Sequence, residues 1–157
     1  DAGVIYLIVT TGQKLVNDGA TSVPGTLIAE DEMLGWTVDS DEMSSVTTAD
    51  MYSQWDSGTF TIDMQTTKNI SGVELNAMYS MYGHQWYYIA NAQLQLSEDG
   101  STWVNCGSLS GDEMAWNGDW QVYALYGGVS ARYIKLTFAH RFAAYGYGLD
   151  ALRVYAE

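Results

Sequence analysis

A chain of 157 residues is long enough for one domain with a sizeable core, and we expect a single domain over residues 1–157. Nineteen Asp and Glu residues against six Lys and Arg residues give a formal charge of -13. This field repels phosphate backbones and anionic lipid headgroups, which argues against nucleic acid as a partner. Because no apolar stretch reaches about eighteen residues, the sequence predicts no insertion into a membrane.

The single cysteine, Cys106, excludes an internal disulfide. We expect it to be a small buried hydrophobic residue. No basic segment leads into an apolar one near Asp1, and we expect a monomeric module of a larger secreted or cell-surface protein.

Apolar and polar residues alternate with a period of two through most of the chain. A more continuous apolar run near the start, residues 4–9, is typical of a strand covered on both faces. The alternation predicts later strands at residues 59–64, 73–77, 93–97, 133–138 and 152–155. The best candidate for a helix, residues 44–52, is rich in Ser and Thr and fits a loop or a single turn. The sequence therefore predicts an all-β fold, an antiparallel β-sandwich.

Three blocks of sequence carry a family pattern. The first has Ile62-Asp63-Met64 followed by a second strand, and the second is a hairpin from Ala92 to Trp103 with Asp99-Gly100 at its turn. The third joins residues 131–137 to the closing segment 149–155. Together they resemble the discoidin (F5/8 type C) and family 32 carbohydrate-binding-module group. The resemblance implies an eight-stranded jelly roll of the galactose-binding type. The Asp99-Gly100 pair suits a type I′ hairpin turn, and Trp103 is expected to cap one end of the core.

The resemblance also implies a structural calcium site. Residues 38–45 look like a degenerate form of the family's calcium loop, with Ser40 where a glycine is usual. The implied ligands are Asp39, Asp41 and Asp150, completed by backbone carbonyls. Solvent-facing loop carboxylates are the alternative interpretation.

Candidate sugar-binding residues lie in aromatic segments that join predicted strands. A pyranose needs a stacking ring beside hydrogen-bonding groups, and these segments supply both. By resemblance, an aromatic ahead of the calcium loop adds to them, and a third cluster around residues 112–120 could flank a groove. The candidates are Trp36, Tyr82, His84, Gln85, Trp86, Trp116, Arg141, Phe142, Tyr145 and Tyr147. The alternative is that these rings fill the ends of the core.

The sequence offers no catalytic motif. There is no Gly-x-Ser-x-Gly elbow, no phosphate-binding glycine loop and no His-x-x-x-His pair that could hold a metal. We therefore expect a non-catalytic module that attaches a parent protein to a glycan or polysaccharide. The alternative is a discoidin-like adhesion domain that recognises a protein partner.

Overall fold

A computed structural model describes residues 15–16, 23–39, 51–53, 58–77, 89–110, 120–140 and 147–157. These residues form nine strands and one short helix. In chain order they are β1 (Leu15–Val16), β2 (Thr26–Leu27), α1 (Glu30–Met33), β3 (Thr37–Asp39), β4 (Met51–Ser53), β5 (Gly58–Ala77), β6 (Ile89–Ser97), β7 (Val104–Ser110), β8 (Trp120–His140) and β9 (Tyr147–Ala156). Every described pairing is antiparallel, which confirms the all-β prediction. Within the described ranges, no helix has the length and apolar character needed to cross a bilayer.

The two long strands β5 and β8 form a central ribbon. They pair from Gly58 opposite Phe138 to Asn76 opposite Trp120, with two register shifts on the way. At the first shift β5 has four residues, 64–67, against one of β8, and at the second β8 has four, 125–128, against one of β5. Bulges of this kind bend strands, and here they let one ribbon pass from one layer of the fold to the other.

Each half of the ribbon belongs to a different layer. In layer A, β3 pairs with β5, and β6 pairs with β8 and β7. In layer B, β9 pairs with the second half of β5 and β1 with the first half of β8, while β2 and β4 pair with β9. The layers face each other, because the hydroxyl of Tyr123 in layer B donates a hydrogen bond to the carbonyl of Ala92 in layer A. The chain is an antiparallel β-sandwich of the jelly-roll kind, as predicted.

The core lies between the two layers and follows the alternation in the sequence. Phe60, Ile62 and Met64 are buried, whereas their neighbour Thr59 faces solvent. The rings of Phe60 and Phe138 meet at 5.6 Å between centroids and 57° between planes, a tilted arrangement that aromatic pairs favour. Removing these apolar side chains from water is the main force that holds the layers together.

Both ends of the ribbon lie at the same end of the sandwich, which we call the loop end. Tyr123 lies three residues from the start of β8, and its partner Ala92 is paired with Phe138 near the end of β8. The short link between β4 and β5 leads to the same conclusion. Ser53 pairs with Tyr147 at the start of β9, and only residues 54–57 separate Ser53 from Gly58. Five residue steps span at most about 18 Å, so the start of β9 in layer B lies close to the start of β5 in layer A.

The turn between β6 and β7 corrects two details of the sequence prediction. It occupies residues 98–103, so it is longer than the two-residue hairpin expected at Asp99-Gly100. Trp103 does not cap the core: it is half-buried, and the Nζ atom of Lys135 lies 3.6 Å from its ring centroid. Lys135 alternates with buried Ile134 and Leu136, so this contact covers the outer face of layer A.

Two segments of the sequence prediction fall mostly outside the described residues. These are the apolar run at residues 4–9 and most of the segment at residues 44–52. The end of the latter is described: Met51–Ser53 is a strand, β4, and it pairs with the first residues of β9.

Candidate functional site

The candidate site is the loop end, which is defined by the residues that anchor the connecting segments. Residues 78–88 leave Ala77 of layer B and return at Ile89 of layer A, and residues 111–119 and 141–146 also connect the two layers. Residues 40–50 and 54–57 begin or end at β4, which lies beside the start of β9. Five segments that are far apart in sequence are therefore anchored around one end of the sandwich.

Three of these five segments are the aromatic segments that the sequence singled out. A sandwich is well suited to carry a binding site on such segments, because its paired strands fix the bases of loops whose sequences are free to vary. The predicted binding residues Tyr82, His84, Gln85, Trp86, Trp116, Arg141, Phe142 and Tyr145 lie outside the described residues. Tyr147 opens β9, and its backbone pairs with Ser53 of β4.

Residues 54–57 are a part of the candidate site that the sequence did not predict. This segment carries Trp55 and Asp56, and it reaches the loop end because β4 pairs with β9. A three-residue strand has too little alternation to be found from sequence alone. Trp55 therefore joins the set of aromatic residues whose segments are anchored at this end.

Trp36 occupies a different environment from the one expected. Its backbone N–H donates to the carbonyl of Met33 at 3.0 Å, closing the turn that follows α1. Its side chain is only 7% exposed and belongs to the hydrophobic core. A ring packed to this degree has little face left for a pyranose, so the structure argues against a stacking role for Trp36. Its buried Nε1 has no hydrogen-bond partner among the described residues.

The three implied calcium ligands are described to different extents. Asp39 ends β3 with an exposed side chain, Asp150 lies within β9, and Asp41 lies outside the described residues. β3 and β9 both pair with β5 on the side away from β8, so both strands flank the same edge of the ribbon. Carboxylate oxygens are the ligands that Ca²⁺ prefers. Because the side chain of Asp150 is not described either, the calcium site stays a prediction. Among the described side chains, no group of three or more His, Cys, Asp or Glu residues is arranged to hold a metal ion.

One carboxylate is buried on the outer face of layer B. Glu74 alternates with the core residues Val73 and Leu75 and therefore faces outwards, yet it is only 9% exposed. The hydroxyl of Tyr155 donates to its Oε2 at 2.9 Å, and the guanidinium of Arg153 lies 3.7 Å from the same oxygen. Burial raises the pKa of Tyr155, and the bond to Glu74 raises it further. Arg153 therefore offsets the charge of Glu74, and the Tyr155 hydroxyl supplies a hydrogen bond to the same oxygen.

Comparison with known proteins agrees with this architecture. The fold is a jelly-roll β-sandwich in which the strand residues that flank five connecting segments lie around one end. The family model for the F5/8 type C domain matches residues 31–150. The chain belongs to the F5/8 type C domain family. No match was found among curated proteins.

Several solved structures share the fold. The C-terminal domain of a chitobiase from Bacteroides fragilis has a TM-score of 0.59 and 16% identity, with 84% of this chain and 98% of that chain covered. The family 32 carbohydrate-binding module of Clostridium perfringens NanJ, in complex with galactose, has a TM-score of 0.58 and 16% identity, with 83% of this chain and 98% of that chain covered. A family 32 module from a Clostridium perfringens family 31 glycoside hydrolase has a TM-score of 0.56 and 20% identity, with 78% of this chain and 95% of that chain covered. At these identities the likeness concerns the fold.

Proposed function

We propose that this chain is a non-catalytic carbohydrate-binding module that attaches a secreted or cell-surface parent protein to a glycan. The observation that carries the proposal is the anchoring of five connecting segments, rich in Tyr and Trp, around one end of the sandwich. Family membership supports it, because modules of similar fold include one in complex with galactose.

The chemistry of the segments suits a sugar. In this proposal Trp86 and Tyr82 stack against the apolar face of a pyranose, and Phe142, Tyr145 and Tyr147 extend that surface. His84, Gln85 and Arg141 supply hydrogen bonds to the hydroxyl groups, and Trp116 flanks the site for a longer chain. Such a site typically gives millimolar to micromolar affinity, about 4–8 kcal/mol.

The proposed calcium ion has a structural role. Asp39, Asp41 and Asp150 would hold it together with backbone carbonyls, and it would tie the segment after β3 to the edge of β9. Support comes from β3 and β9, which flank the same edge of β5. The test is thermal unfolding with added Ca²⁺ and with chelator. We expect Ca²⁺ to raise the midpoint, and an unchanged midpoint would remove the ion from the proposal.

Titration against a panel of soluble glycans, with and without chelator, tests the proposed function. We expect at least one defined oligosaccharide to quench Trp fluorescence. Substitution Trp86→Ala should weaken its binding by about 2 kcal/mol, roughly thirtyfold, without unfolding the domain. If every glycan fails, the protein-recognition alternative replaces the proposal.

Tyr126→Ala is the matched control for this substitution. Tyr126 is another large aromatic, 46% exposed, but it lies in the second bulge of the ribbon, away from the loop end. We expect its loss to leave affinity unchanged. Equal losses in both variants would contradict the assignment of the site to the loop end.

A further inference from the structure

A hydrogen bond through the core joins the two layers near the loop end. The hydroxyl of Tyr123 in β8 donates to the carbonyl of Ala92 in β6, and both residues are fully buried. A buried hydroxyl and a buried carbonyl that bond each other avoid the cost of an unsatisfied polar group. Tyr123 is itself held in layer B, where its backbone pairs with Val73 of β5 and Val16 of β1. The bond therefore sets how far the end of β6 lies from layer B.

The part of β6 that accepts this bond is irregularly paired. In its pairing with β8, β6 has one extra residue between Ile89 and Asn91. In its pairing with β7, the extra residue belongs to β7, and the shift lies between Gln93 and Gln95 of β6. Bulges of this kind bend a strand and interrupt its ladder. Ala92 lies between the two irregularities, so the neighbouring strands fix the course of β6 less firmly here than a regular ladder would.

The bond lies equally far from the bases of two connecting segments. Ile89, where residues 78–88 return to the sheet, precedes Ala92 by three residues. Trp120, where residues 111–119 end, precedes Tyr123 by three residues. Three residues of a strand span about 10 Å. The contact therefore joins the base of one segment in layer A to the base of another in layer B.

We propose that Tyr123 is a positioning residue for glycan binding, because its hydroxyl sets the spacing between the bases of residues 78–88 and 111–119. The inference rests on the proposed function, in which Trp86 and Tyr82 of the first segment stack on the sugar and Trp116 of the second flanks the site for a longer chain. A sugar chain that touches both segments binds well only when their bases are correctly spaced. A monosaccharide that touches one segment does not depend on that spacing. Preorganisation of this kind raises affinity without adding a contact.

A pair of matched variants tests the role of the hydroxyl. Tyr123→Phe removes the hydroxyl and keeps the ring. Tyr155→Phe is the control, since it also removes a hydroxyl with a partner, the Oε2 atom of Glu74 at 2.9 Å. Tyr155 lies near the end of β9, whereas the loop end is at the start of that strand. Urea denaturation should show that both variants fold and that both lose some stability.

Binding is measured with sugars of two lengths. The probes are galactose and N-acetylglucosamine, each as the monosaccharide and as the β-1,4-linked tetramer, titrated by NMR; a glycan that only the wider panel identifies is used in the same two lengths. We expect Tyr123→Phe to weaken binding of the tetramer about tenfold, because apparent affinity falls with the fraction of molecules in which both segments are correctly spaced. Binding of the monosaccharide should change by less than about twofold. Tyr155→Phe should change neither affinity.

A second measurement uses the parent chain alone. Because coupling between two sites is reciprocal, a tetramer whose binding depends on the Tyr123 bond must in turn stabilise that bond. Amide hydrogen exchange at Asn91, Ala92 and Gln93 should therefore slow when the tetramer saturates the protein. Exchange at Val154, beside Tyr155, should slow only by the general stabilisation that any bound ligand gives. This measurement tests the proposal even if Tyr123→Phe does not fold.

The outcomes distinguish this inference from the proposed function. Equal losses of affinity for the monosaccharide and the tetramer in Tyr123→Phe, or no loss for either, would overturn the positioning role and leave sugar binding intact. Equal losses of tetramer affinity in the two variants, or equal slowing of exchange at Ala92 and Val154, would overturn it as well. If no probe and no glycan of the wider panel binds the parent chain, the proposed function fails and the inference fails with it.

Discussion

The carboxylate of Asp63 accepts two hydrogen bonds from the guanidinium of Arg132, from Nε to Oδ1 and from Nη2 to Oδ2, each 2.7 Å long. Asp63 is the last paired residue of β5 before the first bulge, and Arg132 is the single residue of β8 opposite that bulge. The pair therefore joins the Ile-Asp-Met block to the Ala-Arg-Tyr-Ile block of the family pattern. The planar guanidinium matches both carboxylate oxygens, a fit that an ammonium group does not offer.

Breaking this pair should destabilise the fold slightly. Arg132→Met is expected to lower the denaturation midpoint modestly, because both side chains are partly exposed and solvent screens the pair. Arg132→Lys keeps the charge but loses the two-point contact, so its loss should be intermediate. Urea denaturation measures both. Equal stability of the Met variant and the parent chain would show that the pair contributes nothing.

The same pair predicts a dependence of stability on pH. The Arg132 guanidinium lowers the pKa of Asp63 below its ordinary value of 3.8, and the backbone N–H of Gln65 acts in the same direction. A lowered pKa in the folded state means that this stabilisation is present above about pH 4 and is lost as the pH falls through the folded value. The stability difference between the parent chain and Asp63→Asn should therefore shrink as the solution is acidified below about pH 4. A difference that stays constant would contradict the assignment.

Gly72 permits a close contact that a larger residue would block. A Cβ atom at this position would lie 2.0 Å from Cγ1 of Val23, which lies on the segment ahead of β2. We expect Gly72→Ala to cost about 1–3 kcal/mol, because Val23 is short and branched and has little room to move. Adding Val23→Ala should restore part of the loss. Gly35→Ala is the control, since its Cβ would meet only the carbonyl of Glu32 at 3.5 Å.

Asp99 organises the turn between β6 and β7. Its Oδ1 accepts hydrogen bonds from the backbone N–H groups of Ser101 at 2.8 Å and Thr102 at 2.7 Å, which holds the pKa of Asp99 well below its ordinary value. Asp99→Ala should lower the denaturation midpoint, and Asp99→Asn should lower it less because the amide oxygen still accepts. As the pH falls below about 4 the parent chain should lose this advantage. Glu98→Ala, at the exposed neighbouring position, controls for loss of a surface charge.

Cys106 should be chemically inert in the folded protein. Burial raises the pKa of its thiol to about 12, so almost no thiolate is present at neutral pH. We expect no labelling by iodoacetamide at about pH 8 in buffer and complete labelling in concentrated urea. Rapid labelling in buffer would mean that the edge formed by β7 opens readily.

Local alternation identified most of the strands but not their connections. The alternation predicts two separate strands at residues 59–64 and 73–77, and the structure has one strand there, β5. Gln65 has a φ of 67°, and its N–H donates to Oδ1 of Asp63 at 2.8 Å, which bends the chain without ending the pairing. A left-handed Gln is uncommon, so composition gives no sign of this bend.

The aromatic segments of the candidate site were identified from sequence, but the strand pairings that anchor the ends of these segments were not. Pairings such as Ala77 with Leu149 and Ser53 with Tyr147 join positions too far apart for any local pattern to reveal. The burial of Trp36 could not be predicted from the sequence either. Thr37 and Asp39 are exposed, whereas the ring of Trp36 lies in the core. Only the tertiary packing determines whether such a ring is buried or exposed.

The folded ribbon also has consequences for the way the chain reaches its native state. Gly58 pairs with Phe138, which follows it by 80 positions. The central ribbon of β5 and β8 can therefore form only after most of the polypeptide has been made. Large sequence separations of this kind make folding slow, on the scale of milliseconds to seconds. During synthesis, β5 must remain without its main partner until β8 leaves the ribosome, and its long unpaired edge is then open to association with other nascent chains.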